Sequence, residues 1–220
     1  MENLYNALKK CVLLDYPYDI EWNDEDNYPV FKSVYSKVID EHSHINNTYY
    51  SNDQGGRLLL NYLDHYAILC FRVANQLWKD GMNNLADALY YSMRIRCSLD
   101  LYYRSNIGEC FMPVHALGTI MDSHALYGKY FKIYDGCHIG PYSIVGIEPK
   151  DWVHPKFGDF VTMLAHSTVY GNSIIGNNVI ISSGTTIINE EIPDNCIVSG
   201  ASPNLFFQKL RISNESIRKI

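Results

Sequence analysis

The second half of the chain carries a large apolar residue at every sixth position. Six of these follow one another without a break: Phe157, Met163, Val169, Ile175, Ile181 and Ile187. The fourth position after each of the first five is small or β-branched: Val161, Ser167, Ser173, Val179 and Thr185. A helix repeats every 3.6 residues and a half-buried strand every two, so neither produces this period. The pattern predicts a coil of three short parallel strands, about 18 residues per turn, with one large residue pointing inward on each face.

A second run with the same period lies earlier in the chain: Met121, Tyr127, Ile133, Ile139 and Val145. The hexads begin near 107–108. Their spacing is irregular around 113–120, and an insertion interrupts them at 146–156. We expect 192–202 to form a last partial coil. Residues 204–210 then form a capping segment, which a solenoid needs over an open end.

The first hundred residues have helical apolar spacing instead, which predicts helices over 58–79 and 82–99. A further helix is expected over 34–45, and a loop over 16–29, where two prolines and five acidic residues occur. The predicted fold class is therefore α+β. A helical domain (1–100) precedes a parallel β-helix of hexapeptide repeats (101–210), and a polar tail follows (211–220).

Composition excludes several classes of function. The net charge is −6, with 18 basic and 24 acidic residues, which argues against general nucleic-acid binding. No run of 18 apolar residues occurs, so no membrane span is expected. The apolar run at 11–14 is too short for a signal peptide, which predicts a cytoplasmic protein with reduced cysteines. No metal is expected, because His42-Ser43-His44 is more typical of a surface helix than of a ligand set.

Five stretches in a fixed order and spacing resemble the hexapeptide-repeat acyltransferases, specifically serine acetyltransferase. They are 72–78, Asp100 followed by Ile107-Gly108 and His115, 131–140, His154-Pro155-Lys156-Phe157-Gly158-Asp159, and 199–203. The resemblance implies a left-handed β-helix and a homotrimer, or a dimer of trimers joined through the helical domain. It also implies active sites in grooves between protomers, with acetyl-CoA as the co-substrate.

Acetyl transfer to a hydroxyl needs a base, because the hydroxyl must lose its proton as it attacks the thioester. A histidine is suited to this near neutral pH. By resemblance His115 is the catalytic base, Asp100 orients it, and His154 places the acceptor hydroxyl. The sequence separation between Asp100 and His115 is close to one coil. The alternatives are that His115 is a turn residue packed at a protomer groove and that His154 is a loop-end residue held by Pro155.

Small residues along one wall of the coil predict the path of the CoA pantetheine arm, since they allow close approach. By resemblance the cofactor-binding residues are Ala165, Ser183, Gly184, Ala201 and Pro203. Backbone N–H groups over 136–140 are expected to stabilise the oxyanion. Cys137 occupies a small-residue slot and is expected to be core packing.

The chain departs from the family where the acceptor binds. Val114 and Val153 stand where serine acetyltransferases carry an Asp and an Arg that hold the amino acid. Asp53 lies close to the position of a further Asp of that family but not at it. A serine zwitterion would lose its charged partners, so a neutral hydroxyl fits better. Trp152 beside His154 suits a sugar ring, and the alternative is that it packs into the groove between protomers. These four positions are the expected acceptor-binding residues.

The first functional prediction is therefore an O-acetyltransferase acting on a saccharide in surface-polysaccharide synthesis. Serine O-acetylation in cysteine biosynthesis is the alternative, and the terminal Ile220 favours it, because serine acetyltransferases often end in an Ile that docks into a sulfhydrylase. Two other possibilities stay open: a non-catalytic partner-binding scaffold, and an N-acetyltransferase for amino sugars.

Overall fold

The computed structural model describes residues 1–43, 58–142, 148 and 151–210. The chain forms two compact units, and their described parts are 1–104 (the first unit) and 105–210 (the second unit). Val145, Asp53 and the tail over 211–220 lie outside the described residues.

The first unit is a bundle of helices followed by one short strand. Its elements are α1 (Glu2–Asp15), α2 (Asp24–Ser43), α3 (Leu63–Lys79), α4 (Asn83–Cys97) and β1 (Leu99–Leu101). Helix α3 packs against both α2 and α4, and α1 packs against α4. Because α3 contacts helices on two sides, consecutive residues such as Ile68, Leu69 and Cys70 are all buried.

Helix α2 begins at Asp24, so the predicted loop over 16–29 is wrong for its last part. The side-chain oxygen of Asn23 accepts a hydrogen bond from the Glu25 N–H (3.0 Å), which satisfies a free donor at the helix start. Three acidic residues in the first turn, Asp24, Glu25 and Asp26, complement the helix dipole. The acidic residues that suggested a loop are thus the residues that begin a helix.

The second unit is a coil of short strands, which run parallel to their stacked neighbours except for the last one. They are β2 (Asn106–Ile107), β3 (Met112–Pro113), β4 (Thr119–Met121), β5 (Leu126–Tyr127), β6 (Lys132–Ile133), β7 (His138–Gly140), β8 (Lys156–Phe157), β9 (Thr162–Met163), β10 (Thr168–Tyr170), β11 (Ile174–Ile175), β12 (Ile180–Ile181), β13 (Thr186–Ile188), β14 (Glu191–Ile192), β15 (Cys196–Ala201) and β16 (Asn204–Lys209). One face stacks β2, β5, β8, β11 and β14. A second stacks β3, β6, β9, β12 and β15, and a third stacks β4, β7, β10 and β13.

The strand register follows the hexad arithmetic. Met163 pairs with Ile181, and Val169 pairs with Ile187. Each of these strand residues therefore stacks on the residue three hexads later in the sequence. All six residues of the main apolar column are buried, as are the five small or β-branched residues between them. The predicted fold class, a helical domain followed by a parallel β-helix of hexapeptide repeats, is confirmed.

Coil length departs from three hexads where the sequence is irregular. Ile107 pairs with Tyr127, a slightly longer separation that reflects the uneven spacing around 113–120. Tyr127 pairs with Phe157, a separation of five hexads, so the predicted insertion lies between two stacked strands and the column resumes in register after it. Register is therefore set by the inward apolar residues and not by chain length.

One corner of the coil requires glycine because successive turns approach closely there. A Cβ added to Gly128 would overlap the carbonyl group of Gly158 on the next turn. A Cβ added to Gly108 would lie 2.7 Å from the backbone of Gly128. Stacked glycines at this corner let the backbones touch where a side chain would separate the coils.

The last coil ends in a hairpin. Strand β16 runs antiparallel to β15, with Cys196 opposite Lys209 and Ala201 opposite Asn204. Strand β16 occupies most of the predicted capping segment over 204–210, and the reversal of chain direction was not predicted. None of the helices within the described ranges is long and apolar enough to cross a membrane.

Adjacent isoleucines of β12 test the inward column. Ile181 is completely buried, while its neighbour Ile180 is only partly buried. We expect Ile181→Ala to lower the free energy of unfolding by about 2–5 kcal/mol, because it leaves a cavity between stacked coils. Ile180→Ala, the control with the same change in strand propensity, should cost about 1 kcal/mol or less. Urea unfolding measures both, and equal losses would contradict the predicted inward direction.

Candidate active site

His115 lies on an exposed turn between β3 and β4. Its φ is 49°, in the left-handed region that histidine adopts more readily than most residues. The turn is fixed on both sides. The Val114 N–H donates to the carbonyl of Ile133 (2.7 Å), and the Leu117 N–H donates to the carbonyl of His115 (2.5 Å). Val114 itself is buried, so the hydrophobic residue before His115 anchors the turn and leaves the imidazole at the surface.

Asp100 lies in β1 of the first unit and has two partners there. Its carboxylate accepts a hydrogen bond from the Tyr90 hydroxyl (2.6 Å), and Arg94 Nη2 lies 3.5 Å from it. Burial, and then the hydrogen bond to Asp100, raise the pKa of Tyr90 above its usual range, so the hydroxyl stays protonated and donates. The carboxylate is thus oriented by its own unit, and its pairing with His115 stays a prediction.

His154 lies just before β8 and contacts a carboxylate that the sequence analysis did not single out. Its Nδ1 is 2.5 Å from Oδ2 of Asp122, which directly follows β4. The Asp122 side chain is only 6% exposed and that of His154 is 21% exposed. The ring of His124 packs against His154 with 4.9 Å between ring centroids.

The coil register explains this cluster. His124 and His154 stand at the same offset before the two members of the Tyr127–Phe157 pair, so they occupy equivalent places on successive coils. That signal was present in the hexad arithmetic, because the two histidines are five hexads apart. Asp122 carries no such signal, because it belongs to the turn after β4.

Backbone contacts brace the turn that carries Asp122. Its Oδ1 accepts from the His124 N–H (2.9 Å), and its carbonyl accepts from the Tyr127 hydroxyl (2.9 Å). Tyr127 is fully buried, and burial raises its pKa well above the usual value, with a further rise from the charge of Asp122. The Leu126 N–H donates to the carbonyl of Pro155 (3.1 Å), which ties this turn to the segment bearing His154.

The other predicted acceptor-binding residues are placed differently. Val153 is half-exposed and Trp152 is partly buried, so the chain presents an apolar surface beside His154. Asp53 and Ile220 lie outside the described residues.

The predicted oxyanion donors over 136–140 are wrong for three of the five positions, because these N–H groups already donate within the fold. Gly136 donates to the carbonyl of Leu117 (2.9 Å) and His138 to that of Ser167 (3.0 Å). Cys137 donates to the hydroxyl oxygen of Thr119 (3.3 Å). Burial raises the pKa of the Cys137 thiol, which agrees with its predicted role in packing.

Predicted cofactor-binding residues lie on successive coils. The Gly184 N–H donates to the carbonyl of Ala165 (3.0 Å), which places these two residues on neighbouring turns. Ser183 and Gly184 are exposed, as are Ala201 and Pro203 near the end of β15. The exposed ring of His166 lies over Gly136, where an added Cβ would overlap its Nδ1.

Comparison with known proteins supports the resemblance. No protein-family model matches the chain. It is 28% identical over 142 residues to serine acetyltransferase 2 of Arabidopsis thaliana, covering 64% of this chain and 42% of that protein. It is 25% identical over 154 residues to serine acetyltransferase of Synechococcus elongatus, covering 70% of this chain and 61% of that protein. This chain is similar to the serine acetyltransferases.

Solved structures agree. The serine acetyltransferase of Vibrio cholerae superposes with a TM-score of 0.69 at 21% identity, covering 88% of this chain and 72% of that one. A serine acetyltransferase in complex with CoA superposes with a TM-score of 0.64 at 20% identity, covering 84% and 73%. The chain thus spans about two fifths to three fifths of the length of those two curated relatives, and the structures show a shared fold.

The His115 turn generates a prediction about stability. Because Asn tolerates a left-handed φ, His115→Asn should cost less free energy of unfolding than a β-branched replacement at the same position. His115→Val, the control, places a β-branched residue at a φ of 49° and should cost about 1 kcal/mol or more. Urea unfolding of both variants is the measurement. A large loss with Asn would mean that the imidazole itself holds the fold.

Proposed function

We propose that the protein is an acetyl-CoA-dependent O-acetyltransferase, and that L-serine is its acceptor. The observation that carries this proposal is the similarity to serine acetyltransferases in sequence, over up to 70% of the chain, and in fold, over 84% and 88% of it. A β-helix alone would not suffice, because one fold hosts many functions. The stretches that contain His115 and His154 keep the family's order and spacing, and they supply the residues proposed for acetyl transfer.

In the proposed mechanism, His115 accepts the proton of the acceptor hydroxyl as its oxygen attacks the thioester carbonyl. A new C–O bond forms, the tetrahedral intermediate collapses, and the C–S bond breaks to release CoA. The proton then passes from the imidazolium to the departing thiolate. Asp100, already oriented by Tyr90, is proposed to stabilise the imidazolium.

The CoA arm is proposed to run past Ala165, Ser183 and Gly184 toward Ala201 and Pro203. The solved serine acetyltransferase with bound CoA supports CoA as the ligand. Small residues at or near the surface of successive coils would let pantetheine approach the backbone closely. We further propose a homotrimer, or a dimer of trimers, in which neighbouring β-helices complete each site, and docking of a sulfhydrylase at Ile220.

A second candidate acceptor is a neutral saccharide hydroxyl. Val114 and Val153 replace charged residues that would hold a zwitterion, and the half-exposed Val153 adjoins His154. A carboxylate and an ammonium bound without charged partners lose hydration that the site does not replace. This favours a sugar, whereas the relatives favour serine.

An acceptor panel separates these candidates. Free thiol released from acetyl-CoA is measured with L-serine, sugars, nucleotide sugars and amino sugars. We expect the highest kcat/KM with L-serine and a fall in kcat of about 10²–10⁴ in His115→Asn, the typical contribution of a proton-transfer group. A preference for a sugar would contradict the serine proposal. Unchanged turnover in the variant would remove His115 as the base, and no binding of acetyl-CoA by calorimetry would favour the scaffold.

The CoA path has a test of its own. Ser183→Trp places a large ring on the proposed wall and should raise the KM for acetyl-CoA by about tenfold or more through steric exclusion. Asn172→Trp puts the same ring at another exposed corner of the coil and serves as the control. Equal kinetics for the two variants would contradict this path.

A further inference from the structure

Asp122 is a buried acid whose carboxylate contacts two histidines. Within the described residues, Oδ2 contacts Nδ1 of His154 at 2.5 Å, and Oδ1 accepts from the backbone N–H of His124 at 2.9 Å. Oδ1 also lies 3.7 Å from Nδ1 of His124. A carboxylate that is 6% exposed needs strong hydrogen bonds to offset its lost hydration, and the contact with His154 is the shortest of these.

The three side chains are also a donor set that could attract a metal ion. The distance between Asp122 and His154 in this structure is that of a hydrogen bond. Two ligands of a tetrahedral zinc ion, each about 2.0–2.1 Å from the metal, lie about 3.3 Å apart. The 2.5 Å between Nδ1 of His154 and Oδ2 of Asp122 is a hydrogen-bond distance. In this structure the pair is therefore joined by a hydrogen bond.

The position of the shared proton determines whether Nε2 of His154 can accept a hydrogen bond from a substrate. An ionised carboxylate only accepts, so the shared proton belongs to Nδ1 of the imidazole, as assigned from the hydrogen-bond network. In a neutral imidazole with its proton on Nδ1, Nε2 is the hydrogen-bond acceptor. His154 is 21% exposed, so its ring is accessible to a small molecule from solvent.

We propose that Asp122 is a positioning residue that holds His154 in its Nδ1–H tautomer, so that Nε2 accepts a hydrogen bond from the acceptor hydroxyl. The inference rests on the proposed function and adds to it a specific carboxylate. Three features fix the ring: the contact with Asp122, the packing of His124 at 4.9 Å, and the backbone bond between Leu126 and Pro155. A hydroxyl held by Nε2 of His154 meets the thioester in one orientation.

Asp122→Asn is the direct test, because the amide has the same shape but can present either an oxygen or an NH₂ group to Nδ1. ¹⁵N chemical shifts of the imidazole at neutral pH report which nitrogen carries the proton. We expect the Nδ1–H form of His154 in the native protein and a mixture of tautomers in Asp122→Asn. A native Nε2–H form would overturn the proposal.

Kinetics supply the second readout. Asp122→Asn should lower kcat by about 10²-fold, at the low end of the range for proton-transfer groups, with the KM for acetyl-CoA unchanged. Asp122→Glu, which restores the charge, should recover part of the loss. The control is Asp159→Asn, whose carboxylate accepts from the Lys129 N–H (2.8 Å) on another part of the coil. An unchanged kcat in Asp122→Asn, or an equal loss in the control, would contradict a positioning role.

Two further outcomes are decisive. Zinc binding at one equivalent per chain, lost in both Asp122→Asn and His124→Ala, would identify a metal centre and overturn the proposal. The tautomer measurement needs no turnover, so it separates the two hypotheses. A protein that acetylates no acceptor but shows the Nδ1–H form would refute the proposed function while leaving the Asp122–His154 pairing intact.

Discussion

The whole second unit depends on burial of one apolar residue per face per turn. No single coil can exclude water from its inward side chain, so each turn is stable only because the next covers it. Stacking Met163 on Ile181, and Val169 on Ile187, brings strands into parallel register and lets their backbones exchange hydrogen bonds. The same constraint makes the column resume in step after the insertion, because an inward position left unfilled would expose its neighbours to water.

Functional side chains inherit their positions from this register. Tyr127 stacks on Phe157, so the turn before one and the segment before the other become neighbours although they are far apart in the sequence. Asp122 and His154 meet for that reason. The rigidity of the coil matters chemically, since a hydroxyl must be held within a fraction of an ångström to react, and strands position a site better than flexible loops do.

The second unit combines a fold similar to that of the serine acetyltransferases with an apolar surface beside His154. Val114 is buried and Val153 is half-exposed, and a carboxylate–imidazole pair lies beside the second valine. A binding site without charged groups can still distinguish substrates, because it disfavours a molecule that leaves the site's buried polar groups without hydrogen-bond partners. The similarity to serine acetyltransferases supports the proposed serine acceptor, whereas the apolar surface beside His154 supports the alternative proposal, a neutral saccharide hydroxyl.

The period of six, the inward columns and the place of the insertion are encoded in the sequence, because each follows from local spacing and the cost of burying polar groups. The start of α2 was predicted wrongly from the same spacing, since acidic residues are typical both of loops and of first helical turns. The contact between Asp122 and His154 arises from folding, and so does the use of the N–H groups of Gly136, Cys137 and His138 within the coil. These are contacts between turns, and their geometry depends on side-chain directions at coil corners that no linear pattern encodes.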